Sequence, residues 1–497
     1  MPENRLDRAR LGDLGLRAQH GAEVTITGLS VDSRDTRPGH LFAALPGTRV
    51  HGAEFIDFAL RMGAVAVLTD KQGAKMAAEP MARAGCAVVV AEDPRQALAY
   101  AAALWFGAQP ENMAAVTGTN GKTSVASFLR QIWELLGHEA VNIGTTGVEG
   151  AMHIPMGHTT PEPITLHRIL AELADNGVSH AVMEASSHGL AQARLDGVRL
   201  MAAGFTNFTQ DHLDYHASFE EYFDAKAGLF ARVLPEDGVA VINIDGARGK
   251  DMVKIARARG QDVIQVGRSE QADLRILGQR CDPVGQDIRF DWQGDIETVR
   301  LDLIGGFQAE NVLVAAALAI ATGISPARVF QVLPRLTQVR GRMELVARRD
   351  NGAPVYVDYA HTPDAVATAL QSLRPHVMGR LVVVLGAGGD RDPTKRASMG
   401  QEAARHADVV FVTDDNPRTE DPAAIRTMVM QGCPEATEVG DRAEAILRGV
   451  DALGSGDALL IAGKGHETGQ IVGDDIYPFD DREQASVAVS ALDGHLA

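Results

Sequence analysis

The chain has 497 residues, 45% of them hydrophobic and 5% aromatic, and carries a net charge of −18. That length predicts about three domains on a prior of roughly 100–200 residues each. The acidic balance argues against a general nucleic-acid binder or a protein that lies on anionic membranes. The N-terminal stretch lacks an apolar core of the signal-peptide kind, and no run approaches the ~18 apolar residues of a membrane span. Cys86, Cys281 and Cys433 stand far apart with no metal or redox spacing, which suits a reducing, cytoplasmic compartment.

Residues 1–110 read as a first unit, with buried strands at 63–68 and 87–90 and polar loops at 31–34 and 45–51. Such loops alone read as turns. Residues 107–112, rich in turn formers, read as a linker. A second unit, 111–339, has apolar runs at 113–116, 180–184, 202–206 and 239–244 separated by helical patterns. That alternation predicts a largely parallel α/β sheet with ligands beyond the carboxyl ends of its strands. Residues 270–303 alternate apolar and polar and predict an antiparallel insertion. The third unit, 340–497, has strands at 355–357, 381–385, 409–412 and 458–461, each ending in a polar loop; this is a Rossmann-like pattern with one functional edge.

The chemistry begins at Thr117-Gly118-Thr119-Asn120-Gly121-Lys122-Thr123. It follows the 113–116 strand and precedes Val125, Phe128, Leu129, Ile132, Trp133 and Leu136 at helical spacing. Strand, Gly-rich turn, Lys-Thr and helix wrap backbone N–H groups around a phosphate, with the lysine on the outer phosphates and the threonine hydroxyl on Mg²⁺. Val116 occupies the first glycine position of the strict G-x-x-x-x-G-K-[ST] pattern, so Gly118 and Gly121 must supply the turn. Glu184 closes a neighbouring strand and can reach a Mg²⁺ held by Thr123. Asp211-His212-Leu213-Asp214-Tyr215-His216 is either a self-bonded loop or a source of one imidazole for a second metal. Lys226 falls on the apolar face traced by Phe219, Tyr222, Phe223, Phe230 and Val233. There it either snorkels outward or serves the metals. On the turn Asp415-Asn416-Pro417-Arg418, the guanidinium either salt-bridges the surface or forks onto a ligand carboxylate.

Together these motifs resemble the Mur ligase family, the ATP-dependent amino-acid ligases of bacterial cell-wall synthesis. Glu184-Ala185-Ser186-Ser187-His188-Gly189-Leu190, Gly341-Arg342-Met343-Glu344 and Asp358-Tyr359-Ala360-His361-Thr362-Pro363 extend the match through all three units in order. The resemblance implies a three-domain α/β architecture with a P-loop central parallel sheet and a Rossmann-like C-terminal domain. It implies uridine-substrate contacts from Val31, Ser33, Thr48, Arg49, Val50, Thr159, Thr160, Ser186, Gln192 and Arg194. Thr48-Arg49-Val50 differs from the Gly-His-Gln type of some members, and His158 stands where some members have Asn. ATP is implied at residues 117–123, Asn311, Arg342, Asp358 and His361. Diaminopimelate is implied at Arg391, Asp415, Asn416, Pro417, Arg418, Gly463 and Glu467.

The metal set implied is Thr123, Glu184, His212 and Lys226, the last as an N6-carboxylysine whose carbamate supplies oxygen to Mg²⁺. Lys122, Glu184, His212 and Lys226 are the implied catalytic set. The activity implied is formation of an acyl phosphate on the D-glutamate γ-carboxylate of UDP-N-acetylmuramoyl-L-alanyl-D-glutamate, followed by attack of the diaminopimelate amine. These small molecules are the expected partners of a chain taken to act as a monomer. The alternatives are a folylpolyglutamate synthase-like ligase and a nucleotide-regulated binding protein without ligase chemistry.

Overall fold

A computed structural model describes residues 6–21, 23–47, 50–209 and 215–495. Thr48, Arg49, Asp211, His212 and Asp214 lie outside the described residues. Three separate sheets organise the chain.

The first is a four-stranded parallel sheet taken in sequence order, Gly28–Ser30, His40–Ala43, Ala66–Thr69 and Ala87–Val90. The helix Pro94–Phe106 follows, started by Asp93, whose carboxylate accepts from Arg95 N and Gln96 N. Such a cap contributes about 1 kcal/mol. The expected linker is more than a spacer. Gln109 donates to Gly197 O (2.9 Å) and accepts from Arg199 N (3.0 Å), fastening it to the second unit.

The second sheet has ten strands in the order Asp295–Leu301, Gly285–Trp292, Leu274–Asp282, Asp262–Gly267, Val239–Asn243, Ala202–Phe205, Asn112–Thr117, His180–Glu184, Ala140–Gly144 and Gly147–Gly150. The six strands from Asp262–Gly267 to Ala140–Gly144 are parallel. Side chains alternate across such strands. Ala114 and Val116 accordingly pack under the helices Lys122–Leu135 and Gln308–Ala321, while Met113 and Ala115 pack under Pro163–Asp175 and Phe219–Gly228. Burial on both faces explains why these runs are continuously apolar.

The expected antiparallel insertion is three strands that extend this sheet. The opposite edge, Gly147–Gly150, gave no sequence signal because it is short and has glycine at both ends. The apolar face around Lys226 is two segments, the helix Phe219–Gly228 and a π turn at Leu229–Val233. Phe219 itself is 41% exposed and packs its ring on Phe208.

The third sheet runs Glu344–Arg348, Pro354–Asp358, Ala458–Ala462, Leu381–Leu385, Val409–Val412 and Thr437–Glu438, parallel except for the first strand. A separate hairpin, Gly469–Val472 with Asp475–Pro478, projects beside it. Among the described residues no helix is long and apolar enough to cross a membrane.

Candidate active site

Asn112–Thr117 ends in the Gly-rich turn, and both glycines are required there. Gly118 has φ +148°, and a Cβ on it would lie 1.9 Å from Thr206 Oγ1; Gly121 has φ +86°, with Asn311 Oδ1 2.6 Å from the equivalent point. The turn is held from the next strand end. Asn120 N donates to Asn207 Oδ1 (2.9 Å), Thr206 Oγ1 donates to Asn120 O (2.6 Å), and Thr119 Oγ1 lies 3.2 Å from Tyr222 OH. Lys122 Nζ donates to the carbonyls of Gly118 and Thr119, each at 2.8 Å. Thr117 does not face the cavity. It is fully buried and ties its hydroxyl to Ala185 O.

Glu184 pairs in register with Val116, which brings its carboxylate to the mouth of the turn. Thr123 Oγ1 donates to Glu184 Oε2 at 3.0 Å, and Thr145 N donates to Oε1 at 2.9 Å. Thr145 was missed in the sequence; its only signal is its position just after an apolar run. Lys226 is 1% exposed, so it does not snorkel outward. Its Nζ donates to Gly118 O (2.8 Å) and lies 4.4 Å from the centre of the Tyr222 ring.

The C-terminal domain reaches this site through Arg342, whose Nη2 donates to Thr123 Oγ1 (3.0 Å) while its guanidinium lies 4.5 Å from the centre of the Tyr359 ring. Met343 takes a left-handed φ of +48°, and its N–H donates to Asp358 Oδ2 at 2.7 Å. Burial pushes the Asp358 carboxyl up from its ordinary range, against the pull of Arg342. His361 Nδ1 donates to Tyr359 O at 2.7 Å. All the residues assigned to ATP, apart from Thr117 and Gly118, line one cavity of 760 Å³.

Thr159, Thr160, Ser186 and Arg194 line the same cavity. Thr160 is buried, donates to Glu184 O (2.9 Å) and accepts from Ser186 Oγ (3.1 Å). Arg194 donates to Thr160 O (2.5 Å) and Gln192 Oε1 (2.8 Å), and burial lowers its pKa. Gln192 turns its amide to Tyr215 OH and does not line the cavity. Val31, Ser33 and Val50 sit on the first domain and line neither this cavity nor the next.

A second cavity of 670 Å³ is lined by Arg391, Asp415, Asn416, Arg418, Gly463 and Glu467, and Pro417 stays out of it. The two cavities share His188, Tyr359, His361, Asp364 and Arg391, so they form one trough from the phosphate loop to the Asp-Asn-Pro-Arg turn. Arg418 has φ +52° and donates to Gly389 O at 2.8 Å. Among the described residues it has no carboxylate within 4 Å. Glu420 is engaged by Arg396 instead, at 2.8 Å from each of two guanidinium nitrogens. Surface salt bridging is therefore not what Arg418 does. Burial, followed by the nearby Arg391, lowers its pKa. Glu467 accepts from Asn416 Nδ2 (2.8 Å) and from Lys464 (3.2 Å); Lys464 was missed because a lysine between two glycines reads as surface. Behind the turn, Arg442 and Asp481 form a fully buried pair at 2.7 Å.

The donors near Thr123 suit a hard cation, since the threonine hydroxyl and the Glu184 carboxylate both offer oxygen. As an ammonium Lys226 offers none; as a carbamate it would. Among the described residues no group of three or more His, Cys, Asp or Glu is placed to hold a metal.

Three α/β domains, the middle one with a phosphate-binding turn facing a trough shared with the third, define an enzyme of the P-loop nucleotide-binding class. Family models match in chain order: Mur ligase family, catalytic domain, at residues 25–106; Mur ligase middle domain at 116–319; and Mur ligase, glutamate ligase domain, at 341–465. The chain belongs to the Mur ligase family. It is 50% identical over 476 residues to UDP-N-acetylmuramoyl-L-alanyl-D-glutamate–2,6-diaminopimelate ligase of Bradyrhizobium diazoefficiens, covering 95% of this chain and 96% of the relative. A solved structure of an enzyme of that same name superposes with a TM-score of 0.68 at 33% identity, covering 94% of this chain and 95% of that one. The ADP complex of Mycobacterium tuberculosis folylpolyglutamate synthase, 19% identical, shares the fold with a TM-score of 0.60 over 74% of this chain and 90% of that one.

Proposed function

We propose that the chain is the ATP-dependent ligase that joins meso-diaminopimelate to the D-glutamate γ-carboxylate of UDP-N-acetylmuramoyl-L-alanyl-D-glutamate, in cytoplasmic synthesis of peptidoglycan precursor. The observation that carries this reading is the continuous trough, with the Lys122–Thr123 turn at one end and Asn416, Arg418 and Glu467 at the other. In this reading residues 1–110 serve the uridine end of the substrate, 111–339 ATP and 340–497 the amino acid, and the chain acts as a monomer. A carboxylate is a poor electrophile, so transfer of the γ-phosphoryl group to it makes amide formation feasible.

Lys122, at the loop that holds the phosphates, offsets charge on the transferring group. Thr123, Glu184, His212 and carbamylated Lys226 would hold Mg²⁺, which neutralises phosphate charge when bound. Arg342 carries the third domain's position to Thr123, and closure of the trough keeps water from the acyl phosphate. Arg194, with Thr159, Thr160 and Ser186, would orient the muramoyl end beside Glu184.

The test is ADP release with ATP, the uridine-linked dipeptide and a panel of acceptors. Diaminopimelate should be the preferred acceptor. Turnover with a folate and glutamate in its place, or no acceptor-dependent ADP release at all, would overturn the reading.

A further inference from the structure

Lys464 has no task in the function proposed above, yet the structure gives it an unusual place. It stands between Gly463 and Gly465, whose φ values are +119° and +55°. A Cβ on Gly463 would lie 2.5 Å from Asp415 Oδ2, and one on Gly465 2.7 Å from Tyr359 Cβ. Neither neighbour can carry a side chain without displacing the site, so Lys464 alone is sent inward, with 0% exposure. Its Nζ meets Asn416 Oδ1 at 3.0 Å, Glu467 Oε2 at 3.2 Å and Gly469 O at 2.6 Å. An ammonium has three N–H donors, and three oxygens here receive them, which is what makes a buried charge tolerable.

The three acceptors belong to three segments around the amino-acid end of the trough: the 415–418 turn, the 463–467 loop and the first strand of the hairpin. Asn416 Oδ1 is taken twice, by Lys464 and by Ile471 N (2.9 Å). The Asn416 amide must therefore point its Nδ2 at Glu467 Oε2, 2.8 Å away. Lys464 and Asn416 both engage Oε2 of Glu467, and Oε1 has no hydrogen-bond partner among the described residues.

We propose that Lys464 is a positioning residue for the acceptor amino acid. It fixes the Asn416 amide and presents Glu467 with one oxygen committed and the other open to a ligand ammonium. Selection of an acceptor whose far end carries both an ammonium and a carboxylate then depends on Lys464, although it touches no substrate. This rests on the ligase reading above.

The test uses the full chain and four Michaelis constants, for diaminopimelate, lysine, ATP and the uridine-linked dipeptide. Loss of charge-assisted contacts at the two positioned groups predicts that Lys464→Met raises KM for diaminopimelate about 30-fold and lowers the diaminopimelate-to-lysine preference about tenfold. The other two constants stay within about threefold of the parent. Because Lys464 holds Asn416 and both engage Glu467 Oε2, Lys464→Met combined with Asn416→Ala should lose less than the product of the two single losses, whereas independent effects would multiply. A diaminopimelate KM that stays within about threefold of the parent, a uniform loss for all substrates, or multiplying effects would each overturn the proposal. Should Lys464→Met fail to fold, Asn416→Asp keeps all three acceptors of Lys464 and turns an anion toward Glu467; an unchanged diaminopimelate KM there overturns the proposal equally. A parent chain that releases no ADP with diaminopimelate overturns the ligase reading itself.

Discussion

Removing the Arg418 guanidinium should abolish the choice between diaminopimelate and lysine more than it harms ligation. The two amino acids differ by one carboxylate at the far end of the side chain. Arg418 lines the second cavity, and among the described residues its guanidinium has no carboxylate within 4 Å and bonds only to the carbonyls of Gly389 and Asn416. A forked guanidinium–carboxylate contact makes two charge-assisted hydrogen bonds, each of about 1.5–3 kcal/mol. Because Arg418 is only half-buried, the lower end applies, about 3–4 kcal/mol for the pair. At about 1.4 kcal/mol per tenfold, Arg418→Ala should reduce kcat/KM for diaminopimelate between about a hundredfold and a thousandfold.

Other costs of the substitution fall on both amino acids alike. The left-handed φ of +52° strains alanine no more than arginine, since both carry a Cβ, and the bond to Gly389 is lost whichever acceptor is bound, so the ratio of the two specificity constants isolates the ligand contact. The assay is ADP release with each acceptor in parallel. Equal losses for diaminopimelate and lysine, with the ratio unchanged within about threefold, would mean that the guanidinium makes no ligand contact and would leave Arg418 a structural residue.

Lys226→Ala should be nearly inactive and partly rescued by short carboxylates that occupy the vacated space; activity equal to the parent would remove Lys226 from the proposed metal site. Arg442→Met should destabilise the protein by about 3–5 kcal/mol in urea unfolding, because Asp481 is left buried and unpaired. Replacing both partners, Arg442→Met with Asp481→Leu, should recover much of that loss. His167 is 1% exposed, and burial depresses its pKa to about 4 from 6.5. A depressed histidine contributes stability that is complete above pH 6.5 and is lost as pH falls toward 4. The parent should therefore lose about 2–3 kcal/mol more than His167→Gln between pH 7.5 and pH 4.5, as read by urea unfolding at each pH.

Much of the site could be read from the sequence because its residues close apolar strands. Glu184 ends a run that must lie beside the phosphate-loop strand, and the register with Val116 follows from pairing that run in parallel. Lys226 was conspicuous as a charge on an apolar face, and the buried side chain bears out that oddity. What stayed hidden depends on tertiary placement. Arg442 and Asp481 are 39 residues apart, and neither differs in sequence from an ordinary surface charge. The strand Glu344–Arg348 and the Gly469–Pro478 hairpin are half-exposed or exposed, so their alternation carried little hydrophobic contrast. The left-handed backbone at Met343 and Arg418 has no marker, since neither residue favours that conformation.

The bond from Arg342 to Thr123 joins residues 219 positions apart and crosses the proposed junction at 339/340. Each side of that junction keeps its own sheet and at least one core of its own, although Ile304 and Phe307 pack into a core of the third unit, so a chain cut there would yield two pieces with reasons to fold. Neither piece would own a working centre. The hydroxyl belongs to one and the guanidinium to the other. Mixed together, the halves would turn over at a rate set by the product of their concentrations until they saturate one another. The peptide bond between them replaces that encounter with an effective concentration in the millimolar range. In this light the junction is a concentrating device, and the covalent chain is what frees the reaction rate from dependence on assembly.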